Sequence, residues 1–146
     1  MLGTQVMLTL GVLSFAAVAS AADLNRTHAT NPRWVGHARF HVVWQTITHI
    51  GVGAVCLVLT WAPVGPPAWR IGVAMALTVV VLGGFFLALA TMRVYDGELA
   101  DPNGYRPLTG TVAGRRLVLD QNVLLFVTGL ACLGAAAVLA IIDQGP

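Results

Sequence analysis

The chain has 146 residues and a net charge of +2, and 57% of its residues are apolar while only 10% are charged. This composition excludes an ordinary soluble domain, in which charged residues make up about a quarter of the chain. The small positive charge fits the orientation of membrane helices and gives no reason to expect a nucleic-acid partner. We therefore predict a membrane protein that forms one domain over residues 1–146.

Four apolar runs are each long enough to cross the hydrocarbon core of a bilayer, which takes about 20 residues. They predict helices over about residues 2–22, 32–61, 71–92 and 118–142. The rest of the chain is too short to form a second core. The predicted fold is all-α, an integral membrane four-helix bundle whose first partner is the lipid bilayer.

The end of the first predicted helix also resembles a signal-peptidase site. Its small residues, in the run AVASAADL at 17–24, follow an apolar stretch as they do before cleavage. The chain lacks the positively charged region with which a signal peptide starts, so we expect this helix to be retained as a span. Cleavage stays open as the alternative and would leave three spans.

The placement of arginine predicts the orientation of the helices. All eight basic residues are arginines, and all except Arg70 lie in the first and third connections. Positively charged residues favour the cytoplasmic side of a membrane. We therefore expect a multi-pass protein of the cell membrane with loops 23–40 and 93–117 in the cytoplasm and both termini outside.

A polar stripe runs along the start of the second predicted helix. Asn31 and Pro32 suit the N-cap and the first helical position. At about 100° per residue, one face carries a set of polar side chains: Arg33, His37, His41, Gln45, Thr48 and His49. Because polar groups that face lipid are costly, we expect this face to point to the bundle interior or to a wet cavity.

The third connection is long and has turn signals at DPNG, residues 101–104, but no strong periodicity. Connections of this length in compact domains are usually functional or disordered. We expect it to form an ordered flap.

In the fourth predicted helix, Ala131 and Ala135 lie four residues apart. This small-xxx-small pattern lets helices approach each other closely. It predicts packing within the bundle, with a homodimer contact through the same two residues as the alternative.

The histidines suit two kinds of chemistry. His37 and His41 project from one helical face and could transfer protons, because histidine titrates near neutral pH; Asp23 and His28 complete this catalytic set. The other reading is a single divalent metal ion held by His28, His37 and His41, with a carboxylate from Asp23 or the third connection. A third, structural reading has the histidines and Gln45 hydrogen-bonded to neighbouring helices.

The segment DLNRTHATNPRWVGHARFH, residues 23–41, resembles the signature of an uncharacterised family of small four-helix integral membrane proteins of bacteria and fungi. The shared pattern is Asp-x-Asn-x-Thr-His, then Asn-Pro-x-Trp, then His-Ala-Arg-Phe-His. The match covers under a fifth of the chain, and Val35 and Gly36 stand where the family often has two prolines. The resemblance implies that this segment is the distinguishing feature of the protein, and it names no reaction.

A looser similarity, in layout alone, is to the sterol isomerase and sigma-2 receptor group, in which acid and histidine groups on four helices face a hydrophobic cavity. Fold does not imply function, so this similarity is an analogy.

From these observations we expect segment 23–41 and the third connection to build a polar pocket at the cytoplasmic interface. The pocket would bind a small lipophilic molecule and, in an enzyme, transform it by acid–base chemistry of the isomerase or cyclase type. Arg33 or Arg39 would anchor an anionic headgroup, and the other predicted ligand contacts are Asn25, Asn31, Trp34, Gln45 and His49. Two alternatives stay open: a mononuclear metal-dependent membrane enzyme, and a non-catalytic accessory or scaffold subunit of a membrane complex.

Overall fold

The computed structural model describes residues 1–143, and within them four long helices form the fold. They are α1, Leu2–Asp23; α2, Gly36–Trp61; α3, Pro67–Thr91; and α4, Gln121–Asp143. A 3-10 turn, Met92–Val94, extends α3, and the third connection carries two antiparallel strands: β1, Leu108–Val112, and β2, Arg115–Leu119. Each of the four helices is long and apolar enough to cross a membrane. The prediction of a mostly helical chain with four such helices is confirmed.

The helix α1 lies at the centre of the packing, in contact with α2, α3 and α4. Its Leu8, Val12 and Phe15 are fully buried, whereas the other three helices bury a smaller share of their surface. Large apolar side chains remain exposed on the outer faces of α3 and α4, among them Val80 and Val138. An apolar outer surface of this kind is typical of a bundle that is surrounded by an apolar phase.

Small residues bring α1 and α4 close together. A Cβ on Gly11 would lie 3.2 Å from the carbonyl oxygen of Gly129, and a Cβ on Gly129 would collide with the Ser14 hydroxyl. Both positions are therefore tightly packed: a side chain on Gly11 would press on the α4 backbone, and one on Gly129 would have to displace Ser14. The close contact of α4 is thus made by Gly129, while Ala131 is exposed and Ala135 is half-buried.

The middle of α1 contains a π-helical segment, Ser14–Ala19. The Ser20 hydroxyl donates to the carbonyl oxygen of Phe15, five residues earlier, at 3.1 Å. Such segments insert an extra residue into a helix and often occur at functional sites. Here the segment changes the direction in which the following residues of α1 face.

The start of α2 differs from the prediction, because the helix begins at Gly36 rather than at residue 32. Asn31 and Pro32 lie in the turns that precede it. The side-chain oxygen of Asn31 accepts the backbone N–H of Arg33 at 3.0 Å, which forms a tight local turn instead of an N-cap. Val35, in an extended conformation, occupies the position before the helix.

Two other helix starts also differ from the prediction. α3 begins at Pro67 rather than at residue 71, with proline at the first helical position, where its missing N–H costs nothing. α4 begins at Gln121 rather than at residue 118, because residues 118 and 119 belong to β2. Asp120 then caps the helix, and its Oδ1 accepts the backbone N–H groups of Asn122 at 2.8 Å and Val123 at 3.2 Å.

The hairpin in the third connection was not predicted. β1 pairs with β2 from Leu108 opposite Leu119 to Val112 opposite Arg115. The two turn residues, Ala113 and Gly114, have φ angles of 48° and 75°. Positive φ at both central positions matches the right-handed twist of the two strands. The expected flap therefore contains a short, fully exposed hairpin.

Candidate functional site

The first and third connections meet at Asp101. The Trp34 indole N–H donates to Asp101 Oδ2 at 2.9 Å, and the Asn31 amide donates to Oδ1 at 3.2 Å. The backbone N–H of Asn103 donates to the same Oδ1 at 2.7 Å. These donors, with the positive charge of Arg33, hold the pKa of Asp101 below its usual value, although partial loss of hydration acts in the opposite direction. An ionised carboxylate thus ties the two connections together.

Asn31 is fully buried at this junction. Its Nδ2 donates to the Thr27 carbonyl oxygen at 2.8 Å and to Asp101, and its Oδ1 accepts from the Arg33 backbone and from the Asn103 amide at 3.2 Å. All the polar atoms of the side chain are paired, as a buried amide requires. The predicted ligand residue Asn31 therefore has a structural role in joining the two connections.

A second cluster lies where α1 ends. The His28 Nδ1 is 2.7 Å from the Thr27 hydroxyl and 3.8 Å from the Asp23 carboxylate. The same hydroxyl donates to Asn25 Oδ1 at 2.7 Å. The His28 ring meets the Trp34 ring edge-on, with 5.3 Å between the centroids. The structure thus places Asp23 near His28, with the His28 Nδ1 within hydrogen-bond distance of Thr27 but not of the Asp23 carboxylate.

The surrounding hydrogen bonds determine how the side-chain amide of Asn25 is oriented towards the third connection. The backbone N–H of Thr27 can only donate, and it points at Asn25 Oδ1 at 2.8 Å. The Nδ2 of Asn25 therefore faces the Tyr105 hydroxyl, to which it donates at 3.0 Å. Tyr105 accepts this bond, so its own O–H remains available as a donor to a ligand.

Tyr105 lines a cavity of about 540 Å³ between α1, α4 and the third connection, which is widely open to the surroundings. Its walls are mainly apolar, with a few polar side chains among them. The lining residues are Val18, Ala21, Ala22, Tyr105, Leu108, Gln121, Asn122, Leu124, Leu125 and Thr128. Sites for small molecules have volumes of about 300–1,000 Å³ and combine apolar walls with a few polar groups.

The polar side chains that line the cavity have hydrogen-bonding groups available to a bound molecule. Gln121 donates through Nε2 to the Arg106 carbonyl oxygen at 2.8 Å, which leaves its Oε1 as an acceptor. Asn122 also lines the cavity, beside Gln121 on the first turn of α4. Together with Tyr105, these residues offer at least one donor and one acceptor to a bound molecule. No local sequence pattern singles out Tyr105, whose role depends on a contact between residues that are 80 positions apart in the chain.

The polar stripe on α2 does not face the bundle interior, so the first of its two predicted environments is wrong for most of its members. His37, His41, Gln45 and Thr48 are exposed. Only His49 reaches the bundle, where its ring meets Phe15 edge-on with 5.9 Å between the centroids. The second predicted environment, a wet cavity, stays a prediction: an open groove of about 400 Å³ on this outer face is lined by His41, Gln45, Thr48 and His49 together with Trp44.

Other residues of α2 pack better against α1 and α3 than the stripe does. The buried face consists of small or short side chains: Thr46, Gly53, Cys56 and Thr60. The two threonine hydroxyls donate to carbonyl oxygens one turn earlier, at 2.8 and 2.7 Å, so they are buried without needing a partner on another helix. Close packing therefore selects this face and leaves the bulkier polar side chains outside.

The predicted catalytic and metal residues fall into two separate places. His37 and His41 form a pair whose Nε2 atoms are 3.1 Å apart, whereas His28 belongs to the cluster with Asp23. Among residues 1–143, no three His, Cys, Asp or Glu side chains are grouped to hold a metal ion. The structure therefore does not bring His28 together with His37 and His41.

The predicted ligand contacts are likewise divided. Asn25 reaches the cavity through Tyr105, and Trp34 belongs to the Asp101 junction. Arg33 is exposed and Arg39 is half-buried, and neither lines the cavity. The site that the structure forms is thus centred on the third connection and the start of α4 more than on the histidine stripe.

Comparisons of the chain with protein-family models, with curated proteins and with solved structures found no match. The resemblance of segment 23–41 to a family of small membrane proteins therefore stays a prediction.

Proposed function

We propose that the protein is a multi-pass protein of the cell membrane that binds a small lipophilic molecule in the cavity between α1, α4 and the third connection. Four helices of sufficient length and apolar character support the membrane assignment. The observation that carries the binding proposal is the position of Tyr105, which Asn25 holds over an apolar cavity with its O–H free.

The lining of the cavity indicates the class of ligand. Most of the wall is aliphatic, from Val18, Leu124 and Leu125, and favours a hydrocarbon body. The polar groups of Tyr105 and Gln121 suit a single hydroxyl or carbonyl group. A lipophilic alcohol or ketone fits this arrangement better than a strongly charged molecule does.

We propose binding of the lipophilic molecule and assign no reaction to the protein. The candidate acid–base residues lie outside the cavity lining: His37 and His41 on the outer face of α2, and Asp23 and His28 behind Asn25. His28 nevertheless reaches the ligand site indirectly, because it contacts the Thr27 hydroxyl, which donates to Asn25, and Asn25 donates to Tyr105.

A cavity-filling variant tests the proposal. Leu125→Trp places a large ring in the cavity, and Leu130→Trp places the same ring on the exposed face of α4 as a matched control. Each protein would be purified in mild detergent and its bound small molecules identified by mass spectrometry. We expect a lipophilic molecule at about one per chain in the wild type and in Leu130→Trp, and its loss in Leu125→Trp. Equal occupancy in the two variants, or an empty wild type, would contradict the proposal.

The exposed stripe favours a second candidate function, a subunit of a larger membrane assembly. Gln45 and Thr48 face outward from a helix that is long and apolar enough to span the bilayer. Of the two, only Thr48 has its side chain paired within the helix, where its hydroxyl donates to the Trp44 carbonyl oxygen at 2.9 Å. A polar side chain at that depth is stabilised when a neighbouring membrane helix offers a hydrogen-bond partner. In such an assembly Ala131 would give a second small contact surface, on α4, for a further copy of the chain.

Native electrophoresis of mildly solubilised membranes distinguishes the two functions. For a subunit, the wild type migrates as a larger assembly and the Gln45→Leu/Thr48→Val protein as a single chain, while Val55→Ala, an exposed apolar position on α2, leaves the assembly intact. Migration of all three proteins as single chains would reject the subunit function and leave the binding proposal unaffected.

A further inference from the structure

His37 and His41 form an isolated pair on the exposed face of α2. Their Nε2 atoms are 3.1 Å apart, and the rings meet edge-on with 4.5 Å between the centroids. Within residues 1–143, each ring has only the other as a hydrogen-bond partner. Neither histidine takes part in the Asp101 junction or lines the ligand cavity. The pair therefore requires an explanation of its own.

The distance between the two nitrogens is close to the bite of a metal chelate. Zinc–nitrogen bonds are about 2.0–2.1 Å long, and at the tetrahedral angle two such bonds place the nitrogens about 3.3–3.4 Å apart. The observed separation needs a change of only a few tenths of an ångström. The two nitrogens share at most one proton between them, and a metal ion that replaces this proton would use both lone pairs.

We propose that His37 and His41 form a two-histidine chelate for a divalent transition-metal ion, with both Nε2 atoms as ligands. The positions one helical turn apart are fixed by α2, so the chelate is preorganised by the helix. The remaining coordination positions are open to water, because no third His, Cys, Asp or Glu joins the pair among residues 1–143. Imidazole nitrogen suits zinc, copper, nickel and cobalt, whereas magnesium and calcium prefer oxygen.

Two aromatic side chains lie beside the histidine pair. The His41 ring lies beside Phe40 and Trp44, with 5.8 Å between centroids in each case. A paramagnetic ion such as Cu²⁺ bound to the pair would also quench the fluorescence of Trp44.

The test is titration of the full chain, purified without a metal-binding tag in mild detergent, with Zn²⁺ by calorimetry and with Co²⁺ by visible absorption. We expect saturable binding of one ion per chain that Mg²⁺ does not compete away. His37→Ala and His41→Ala should each abolish it, and Ile47→Ala, at an exposed apolar position of the same helix, should leave it unchanged. Circular dichroism checks that the variants, all at exposed positions, keep their helix content.

Each outcome of the titrations either supports or overturns the two-histidine chelate. Half an ion per chain, lost in the same two variants, would support the same chelate with a second copy supplying the other two imidazoles. Absence of saturable Zn²⁺ or Co²⁺ binding, or binding that survives His37→Ala, would overturn the proposal. Neither result bears on the lipophilic ligand, because the histidine pair lies outside that cavity.

Discussion

At the scale of single residues, the junction of the two connections depends on an amide and a carboxylate that are 70 residues apart. Asn31 pairs all its polar atoms while fully buried, and Asp101 accepts three hydrogen bonds. Leaving a buried polar partner unpaired costs about 1–3 kcal/mol, so the two residues depend on each other. The third connection is ordered above the cavity because this junction holds it there.

The ionised state of Asp101 makes the junction sensitive to acid. Its pKa is lowered in the folded protein, mainly by the Trp34 indole and the Asn103 backbone. A lowered pKa means that its contribution to stability is fully present above the usual aspartate pKa of 3.8 and is lost as the pH falls through the lower, folded value. We expect the third connection to detach in acid, with a change in Trp34 fluorescence.

Fluorescence at stepwise lower pH, compared between the wild type and Asp101→Asn, checks this prediction. The variant carries no titrating group at this position, so its signal should stay flat over the range in which the wild type changes. Trp34→Phe identifies which of the four tryptophans reports the change. An identical acid transition in the wild type and Asp101→Asn would show that another group is responsible.

At the scale of elements, the sequence predicts those features of the fold that depend on a local pattern of residues. The four apolar runs predict the helices because length and hydropathy alone decide them. The hairpin leaves no comparable pattern, because all its residues are exposed and no buried face enforces alternation. The orientation of the stripe on α2 was predicted wrongly because periodicity groups side chains on a face without saying what that face contacts. Close packing instead buries the face of α2 that carries Gly53 and Cys56.

The candidate site was predictable only in outline. Segment 23–41 and the third connection do meet, as expected from their polar character, but the contacts of Asn31 with Asp101 and of Asn25 with Tyr105 join residues far apart in the chain. No local rule relates such residues. The structure does not bring the three predicted histidines together for the same reason, since His28 lies in the turns between α1 and α2 and the other two lie within α2.

The close contact of α1 with α4 predicts that a substitution of Gly129 lowers the stability of the bundle. Gly129→Ala should destabilise the bundle by about 1–3 kcal/mol, the usual cost of overpacking, because the new methyl group displaces Ser14, whose hydroxyl donates to the Gly11 carbonyl oxygen at 2.7 Å. Gly134→Ala is the matched control on the same helix, with no atom within 4 Å of its Cβ. Alanine favours a helix over glycine, so this control should melt at an unchanged or slightly higher temperature.

Thermal unfolding in one detergent, followed by circular dichroism, compares the two variants. A lower melting temperature for Gly129→Ala alone supports the close contact. Equal melting temperatures would mean that α1 and α4 do not approach each other at Gly129.

At the scale of the whole molecule, the chain has two distinct ends. The start of α1 meets the end of α4 at one of them, where the Thr4 hydroxyl donates to Asp143 at 2.7 Å. The first and third connections meet at the other, through Asn31 and Asp101. All the arginines except Arg70 belong to the end formed by the connections. In a membrane, the positive-inside rule would place this end, and the mouth of the cavity, in the cytoplasm.

Cysteine labelling in intact cells tests that orientation. Glu98→Cys lies exposed in the third connection, and Val64→Cys lies exposed in the second connection, at the opposite end of the bundle. A membrane-impermeant maleimide should label Val64→Cys from outside and Glu98→Cys only after permeabilisation, with the wild type as the blank for Cys56 and Cys132. Labelling of Glu98→Cys in intact cells would reverse the orientation. A lipophilic ligand would then enter the cavity from the outer leaflet, although the contacts that form the cavity would be the same.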